Sequence, residues 1–304
     1  METENFRDNN IQTGGKMGKI KKTMQDLIRM KLEGKKFLTA VCYDYAWARL
    51  VDETEIETVF CGDSMGMNVY GYPCTNPVTM EQMIVHCQAV RRGAPNTFMF
   101  GDMVYGSYET GVSDAVKNGI RLVKETSVDA VKLEGGAQFA PHVKAMTEAG
   151  INVFGHLGVT PQSAAQIGGF KAQGRNADSA RKIIEDCFAL YEAGIKAILL
   201  ECVPPELSKF VSGKLPIPVF EADEHGTLLY DMFHMFPHQS CPRFAYRSEY
   251  SFGDMAIETM NKWVKETREG TWPRPENLYR IQGSMEEYVK VFDEYRDTDY
   301  RKGI

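Results

Sequence analysis

The sequence predicts an α/β fold, and within that class a single (β/α)8 barrel. Apolar strand-like runs alternate with amphipathic helical runs about seven times, which is typical of parallel strands joined by crossover helices. The chain has 304 residues, and a barrel of this kind needs about 250. A doubly wound sheet shows the same alternation, but no GxGxxG motif follows the first predicted strand.

The periodicity places seven strands, and residues 227–230 are the candidate for an eighth. The seven are 37–43, 57–61, 97–100, 131–134, 151–154, 196–200 and 217–220. The helices between them are predicted at 23–33, 45–53, 79–92, from 113, at 141–149 and at 178–193. Gly34, Gly150 and Gly194 follow three of these helices, as is common at helix ends. Thr79 is a good N-cap for the third.

Composition limits the class of protein. The net charge is -6 and the pI is near 5.6, which argues against nucleic acid as the main partner because phosphate binding needs a basic surface. No apolar run reaches the roughly 18 residues that cross a bilayer, and residues 1–20 lack the apolar core of a signal peptide. The seven cysteines form no CxxC pair, so we expect reduced thiols and a cytoplasmic protein.

The predicted domain organisation is simple. Residues 1–20 form a polar N-terminal arm, either disordered or laid on a neighbouring subunit. Residues 21–304 form one barrel domain that ends in charged C-terminal helices and a tail.

The fourth predicted strand contains an unusual pair of charges. Lys132 and Glu134 are two residues apart, so they project from the same face of the strand. Burying such a pair is unfavourable unless the charges are paired or bind something charged. Gly135 and Gly136 follow at once and would let the backbone approach a ligand. Taken alone, the pair fits an internal ion pair as well as a binding site.

Other predicted strands end in the same way. Asp63, Asp102, His156 and Glu201 each lie at or just after the carboxyl end of a strand, where barrel enzymes keep their catalytic groups. Any one of them could be a helix cap or a loop anchor. Their shared position in the fold instead predicts one common site. His156 could face a ligand there or be a satisfied core histidine.

The chemistry of these residues is consistent with one task. Carboxylates without a thiolate or histidine cluster suit Mg2+, which prefers oxygen ligands. A metal held by Asp63 and Asp102 could chelate a 2-oxo acid, and Lys132 could neutralise its carboxylate or a developing enolate. Glu201 is flanked by apolar sequence neighbours, and an apolar setting would raise its pKa towards a value useful for a base.

Several runs of sequence resemble the ketopantoate hydroxymethyltransferase family. They are GDSMG at 62–66, RRGAP at 91–95, VKLEGG at 131–136, GHLGVTPQS at 155–163 and LECVP at 200–204. The match covers roughly residues 20–220 in the same order. It implies a (β/α)8 barrel of the phosphoenolpyruvate mutase and isocitrate lyase type, and a homo-oligomer, with decamers common.

The resemblance also implies an activity. Members of this family transfer a one-carbon unit from 5,10-methylenetetrahydrofolate to 3-methyl-2-oxobutanoate, giving 2-dehydropantoate for pantothenate and coenzyme A. The implied Mg2+ ligands, direct or through water, are Asp63, Asp102 and Glu134. The implied contacts with the 2-oxo acid are Asp63, Ser64, Asp102 and Lys132. Glu201 would be the proton acceptor, and His156 would lie near the site without an assigned role.

The segment 219–226 departs from the family pattern, which is rich in glycine there. Glu221 and Asp223 are expected to fill space and add negative charge at the barrel mouth. Three alternatives follow: a drifted loop with unchanged activity, a paralogue that uses another 2-oxo acid or one-carbon donor or acts as a C–C lyase or aldolase, or loss of activity. Residues 241–253 diverge as well. His234 and His238 have helical metal spacing, but Pro237 should break such a helix.

Overall fold

A computed structural model describes residues 19–221, 225–237, 242–243 and 245–298. Its strands are β1 (Thr39–Val41), β2 (Thr58–Cys61), β3 (Phe98–Asp102), β4 (Ala130–Glu134), β5 (Val153–Gly158), β6 (Ala197–Glu201), β7 (Val219–Glu221) and β8 (Gly226–Leu228). These parallel strands pair in the order β7-β6-β5-β4-β3-β2-β1-β8. Since β1 pairs with both β2 and β8, the sheet curls into a nearly closed barrel. The predicted (β/α)8 fold is therefore confirmed, and the doubly wound alternative is wrong.

The helices of the barrel alternate with the strands as predicted. They are α1 (Met24–Leu32), α2 (Tyr45–Asp52), α3 (Met65–Asn68), α4 (Met80–Gly93), α5 (Val112–Thr126), α6 (Ala140–Glu148), α7 (Ala164–Ile167), α8 (Ala177–Ala193), α9 (Pro205–Lys214) and α10 (Leu229–Met232). Thr79 caps α4 as predicted, since its side chain accepts from the N–H of Gln82 and the Gln82 side chain accepts from the N–H of Thr79. The uncertain eighth strand exists, but it stops at Leu228 because α10 begins at Leu229.

The lower interior of the barrel is filled by aromatic rings. We call Phe60, Phe98, Phe100, Phe154 and Phe220 the phenylalanine layer; all five are buried in one cluster. The rings of Phe100 and Phe154 stack with centroids 4.5 Å apart. Met24 and Leu27 of α1 belong to the same cluster, so α1 covers the amino-terminal end of the barrel.

The chain divides into two compact units, one ending at Ser251 and one beginning at Phe252. The second unit contains α11 (Phe252–Arg268) and α12 (Met285–Glu294), in the region where charged helices were predicted. The single-domain assignment of residues 21–304 stays a prediction. The predicted N-terminal arm lies almost wholly outside the described residues. Within the described part of the chain, no helix is both long and apolar enough to cross a membrane.

Candidate active site

The carboxyl ends of five neighbouring strands bring the predicted polar residues together. We call five of them the charged cluster: Asp63, Asp102, Lys132, Glu134 and His156. Parallel pairing places Asp102 of β3 beside Lys132 of β4, and Glu134 of β4 beside His156 of β5. All five side chains are buried. Glu201 is the last residue of β6 and is paired with Gly158, the last residue of β5.

Two glycines allow close packing after the strand ends, Gly136 against α8 and Gly158 against β6. A Cβ at Gly136 would lie 2.2 Å from the carboxyl carbon of Asp186. A Cβ at Gly158 would lie 2.1 Å from the carbonyl oxygen of Glu201, and the φ of Gly158 is +94°. Both distances exclude any side chain. The close contact between β5 and β6 beside Glu201 therefore requires glycine.

Lys132 lies at the centre of the charged cluster. Its Nζ is 3.1 Å from Asp102 Oδ2 and 3.4 Å from Glu134 Oε1. Burial alone would lower the pKa of Lys132, but the charges of Asp102, Glu134 and Asp63 raise it well above its ordinary range. The ammonium therefore stays charged at neutral pH. It also lies 5.5 Å from the centroid of the Phe60 ring, at the border of the phenylalanine layer.

His156 connects the charged cluster to Glu201. Its Nδ1 is 3.3 Å from Glu134 Oε1, and its Nε2 is 3.2 Å from Glu201 Oε2. Burial and the ammonium of Lys132 lower the pKa of His156. The two flanking carboxylates outweigh them and raise that pKa to about 9. Nδ1 also lies 3.2 Å from Lys132 Nζ, so it accepts from Lys132 in the neutral ring and donates to Glu134 in the charged ring.

The surroundings of Asp63 and Asp102 disfavour the negative charge of both side chains. Asp102 Oδ2 accepts from the N–H of Asp63 at 3.0 Å, while the buried Oδ1 has no hydrogen-bond partner among the described residues. Burial and the charges of Asp102 and Glu134 raise the pKa of Asp63 well above its ordinary value. Burial also raises the pKa of Asp102. A cation at this position would relieve both effects.

The donor chemistry of the cluster fits Mg2+. Carboxylate oxygens are hard ligands, and the partnerless Oδ1 of Asp102 is an available one. In the described residues, no three Asp, Glu, His or Cys side chains already form a metal cage, because Lys132 lies between the carboxylates of Asp102 and Glu134. The side chains are therefore of the type that binds Mg2+, and in this structure Asp102 and Glu134 form ion pairs with Lys132.

Ser64 follows Asp63 and precedes α3. Its Oγ lies 2.9 Å from the hydroxyl of Tyr43, which also accepts from Nδ2 of Asn68 at 2.8 Å. Ser64 makes no side-chain bond to the backbone of α3. Its hydroxyl is therefore positioned by a buried phenol, and not used as a helix cap.

The prediction of an apolar setting for Glu201 was wrong. Its side chain is 21% exposed and faces His156. Strand alternation turns its neighbour Leu200, which is buried, to the opposite face. Sequence neighbours on a strand therefore do not describe the surroundings of the residue between them.

The expected charge of Glu221 at the barrel mouth was also wrong. Phe220 belongs to the inward-facing phenylalanine layer, so the next side chain points outward. Accordingly, Glu221 Oε2 accepts from Ser208 Oγ of α9 at 2.9 Å. Asp223 lies outside the described residues, as does His238. α10 ends before His234, whose φ is 49°, so the helical metal spacing does not occur at that residue.

Two contributors were missed in the sequence. Gln162 donates from Nε2 to Asp63 Oδ2 at 2.7 Å, and its backbone N–H donates to Glu134 Oε2 at 3.0 Å. The hydroxyl of Tyr108 lies 2.7 Å from Gln162 Oε1. Gln162 lies in the run 155–163 that resembles the family, which was the one available signal. Nothing in the sequence marked Tyr108.

Comparisons with known proteins identify the family. A sequence model described as ketopantoate hydroxymethyltransferase matches residues 21–275. The 3-methyl-2-oxobutanoate hydroxymethyltransferase of Alkaliphilus metalliredigens (strain QYMF) is 42% identical over 281 residues, which is 91% of this chain and 99% of that protein. The protein of the same name from Heliobacterium modesticaldum (strain ATCC 51547 / Ice1) is 41% identical and covers 86% of this chain and 97% of its own length.

Solved structures support the fold. Phosphoenolpyruvate phosphomutase from Streptomyces platensis subsp. rosaceus aligns with a TM-score of 0.53 at 14% identity, covering 92% of this chain and 99% of that one. A 2,3-dimethylmalate lyase, described as a member of the PEP mutase/isocitrate lyase superfamily, aligns with a TM-score of 0.51 at 17% identity, covering 92% and 98%. The barrel is therefore of the predicted type. With the family match spanning most of its length, the chain belongs to the ketopantoate hydroxymethyltransferase family of enzymes.

Proposed function

We propose that this protein transfers a hydroxymethyl group from 5,10-methylenetetrahydrofolate to 3-methyl-2-oxobutanoate, forming 2-dehydropantoate for pantothenate biosynthesis. Family membership supports the reaction class. One structural observation carries the assignment: a buried cluster of three carboxylates around Lys132 lies next to a more exposed carboxylate, Glu201, and His156 contacts both parts. Such a site combines groups that bind an anionic substrate and a metal with a separate base.

In this proposal Asp63 and Asp102 would hold Mg2+, and Glu134 would support it directly or through water. Oδ1 of Asp102 has no hydrogen-bond partner among the described residues, so it is the first candidate for a direct metal ligand. When bound, Mg2+ withdraws electron density from the keto group of the substrate and so acidifies its C3–H. Lys132 provides a fixed positive charge for the substrate carboxylate or the developing enolate oxygen. The hydroxyl of Ser64, which contacts the Tyr43 hydroxyl, would make a further contact with the 2-oxo acid.

Glu201 accepts the proton from C3. Its side chain is 21% exposed, unlike those of the buried cluster, which supports a role as a base that substrate can reach. Nε2 of His156 lies 3.2 Å from Oε2 of Glu201, so the charged imidazole attracts this carboxylate. Water first hydrolyses the methylene group of the folate donor to formaldehyde, which breaks both C–N bonds and releases tetrahydrofolate. The electron pair left at C3 then forms a bond to the formaldehyde carbon, and the carbonyl oxygen takes up a proton to become the hydroxyl of the product.

Residues 219–226 depart from the family's sequence pattern, but the structure weakens the argument that this change alters the substrate. Glu221 points to α9 and adds no charge inside the barrel. We therefore favour the unchanged reaction over a paralogous lyase or aldolase. By family resemblance we also propose a cytoplasmic homo-oligomer, a decamer, which light scattering of the purified protein would test.

The decisive experiment follows the C3 proton of 3-methyl-2-oxobutanoate by NMR in D2O. Exchange should require enzyme and Mg2+, and should proceed without the folate donor. Addition of 5,10-methylenetetrahydrofolate should then give 2-dehydropantoate. Absence of both exchange and product would overturn the proposal, whereas exchange followed by C–C cleavage without the donor would identify a lyase.

A further inference from the structure

We infer that Gln162 is a positioning residue that orients the carboxylates of Asp63 and Glu134 for the metal ion. This inference rests on the proposed Mg2+-dependent function and adds a residue to it. Gln162 itself is not placed to touch the reacting atoms. Its role is to hold carboxylates that come from two different strands.

The contacts of Gln162 reach three strand ends from a single loop. The residue lies in the 3-10 turn Pro161–Ser163 that follows β5, and it is buried. Its Nε2 donates to Asp63 Oδ2 at 2.7 Å and to the carbonyl of Met103 at 2.9 Å. Its backbone N–H donates to Glu134 Oε2 at 3.0 Å. One residue thus bonds to the ends of β2, β3 and β4.

The orientation of the amide follows from its partners. Nε2 faces two hydrogen-bond acceptors, the carboxylate of Asp63 and the carbonyl of Met103. The NH2 end of the amide is therefore assigned to this side. The oxygen end faces the hydroxyl of Tyr108 at 2.7 Å. That hydroxyl in turn accepts from the N–H of Glu134 at 3.2 Å. The hydroxyl also lies 3.1 Å from the carbonyl of Glu134, but its shorter contact with Gln162 Oε1 favours the orientation of the amide that donates to Asp63.

The neutrality of Gln162 matters for cation binding. Asp102 is held by the ammonium of Lys132 at 3.1 Å, a charge that opposes a metal ion. Asp63 is held by a neutral amide, which restricts rotation of the carboxyl group and adds no positive charge that would oppose a metal ion. Hydrogen-bonded partners of this kind tune metal sites, and their removal typically weakens metal affinity by about 10–100-fold.

The test measures binding of Mn2+ alone by electron paramagnetic resonance. Gln162→Met keeps the length of the side chain and removes both donors. We expect its Mn2+ affinity to fall by about 10–100-fold. The Mg2+ concentration for half-maximal C3 exchange should rise in parallel, while the exchange rate at saturating Mg2+ should return to within about threefold of wild type, since the ligands remain.

Gln88→Met is the matched control. The amide of Gln88 on α4 donates to the carbonyl of Glu125 at 3.0 Å, so the same substitution removes a similar bond away from the site. Its Mn2+ affinity should equal that of wild type. Thermal unfolding in EDTA compares the two variants, because Gln162→Met also leaves the carbonyl of Met103 without this donor. A purely structural role would lower stability without changing the Mn2+ affinity of the folded protein, and would overturn the inference.

Tyr108→Phe provides a second route that keeps Gln162. It removes the hydroxyl that orients the amide, and we expect a loss of Mn2+ affinity of about threefold to tenfold. Wild-type affinity in both variants would overturn the role of Gln162 and leave the proposed function standing. If wild type also binds no Mn2+, the metal in the proposed function fails together with this inference. If Gln162→Met does not fold, unchanged affinity in Tyr108→Phe is sufficient to reject it.

Discussion

The interior of the barrel has two halves built from the same strands. On β3, Phe100 belongs to the phenylalanine layer and Asp102 to the charged cluster. On β5, Phe154 and His156 divide in the same way. In each pair the residues are two positions apart, so they point to the same side of the sheet. The change from aromatic to charged therefore occurs along the barrel axis over two residues.

The comparison shows how each half depends on the other. The phenylalanine layer excludes water from below the charged cluster, which desolvates the carboxylates. Burial is the largest cause of the raised pKa values of Asp63 and Asp102. Lys132 Nζ lies 5.5 Å from the Phe60 ring, so the principal cation of the cluster rests on the aromatic layer. The phenylalanine layer stabilises the fold. This stability offsets the cost of burying the charged cluster away from water.

The largest expected effect is at Glu201, which contacts the charged cluster only through His156. Glu201→Gln removes the base and keeps the size of the side chain. We expect C3 exchange to fall by about a thousandfold, within the range for loss of a general base. Binding of the 2-oxo acid in the presence of Mg2+, measured by calorimetry, should change little. Glu206→Gln, at an exposed glutamate in the first turn of α9, is the control. Near-normal exchange in Glu201→Gln would reject its role as base.

The second effect is a pH dependence of stability that His156 in the charged cluster produces. The pKa of His156 is raised to about 9 from an ordinary value near 6.5, so the folded protein binds this proton more tightly than the unfolded chain. Its stabilising contribution is full below about pH 6.5 and is lost as pH rises through about 9. At roughly 1.4 kcal/mol per pKa unit, this contribution is at most about 3.5 kcal/mol.

Urea unfolding in EDTA between pH 6 and 10 measures this loss. The raised pKa values of Asp63 and Asp102 act in the same direction, because those carboxyls also bind protons better in the folded state. The difference between wild type and His156→Gln isolates the imidazole. If the two proteins lose stability in parallel above pH 6.5, His156 does not carry a stabilised charge.

The sequence predicted the barrel and most of the charged cluster because both depend on local signals. Strand periodicity and the position of a polar residue at the end of a strand can be read without knowing any contact. Gln162 could not be found in this way, since its partners Asp63 and Glu134 come from strands far away in the chain. The outward direction of Glu221 was predictable from alternation, had Phe220 been assigned to the interior. The surroundings of Glu201 required His156, which arrives from a neighbouring strand.

A smaller effect is expected at Asp102, whose Oδ1 lacks a partner among the described residues. Asp102→Asn removes one negative charge and keeps the shape of the side chain. We expect Mg2+ or Mn2+ affinity to fall by about 10–100-fold, as when groups that support a metal site are removed. Calorimetric titration measures it, with Asp178→Asn on the first turn of α8 as the control. An unchanged titration would count against Asp102 as a ligand.

The smallest effect tests whether the two halves are separable. Phe100→Leu keeps an apolar side chain in the phenylalanine layer but removes ring contacts with Phe154 at 4.5 Å and Phe60 at 5.4 Å. We expect the free energy of unfolding to fall by about 1–2 kcal/mol, measured by urea denaturation. The C3 exchange rate per folded molecule should stay within about twofold, because the change in apolar volume is small.

The two readouts of Phe100→Leu must diverge if the aromatic half only supports the charged one. A leucine at this position still excludes water, so the carboxylates above it keep their desolvated state. A loss of exchange greater than tenfold, at a stability loss within the expected range, would mean that the exact packing of the rings sets the position of Asp102 two residues further along β3. The phenylalanine layer would then belong to the active site, and the division of the barrel interior into a stabilising and a reactive half would fail.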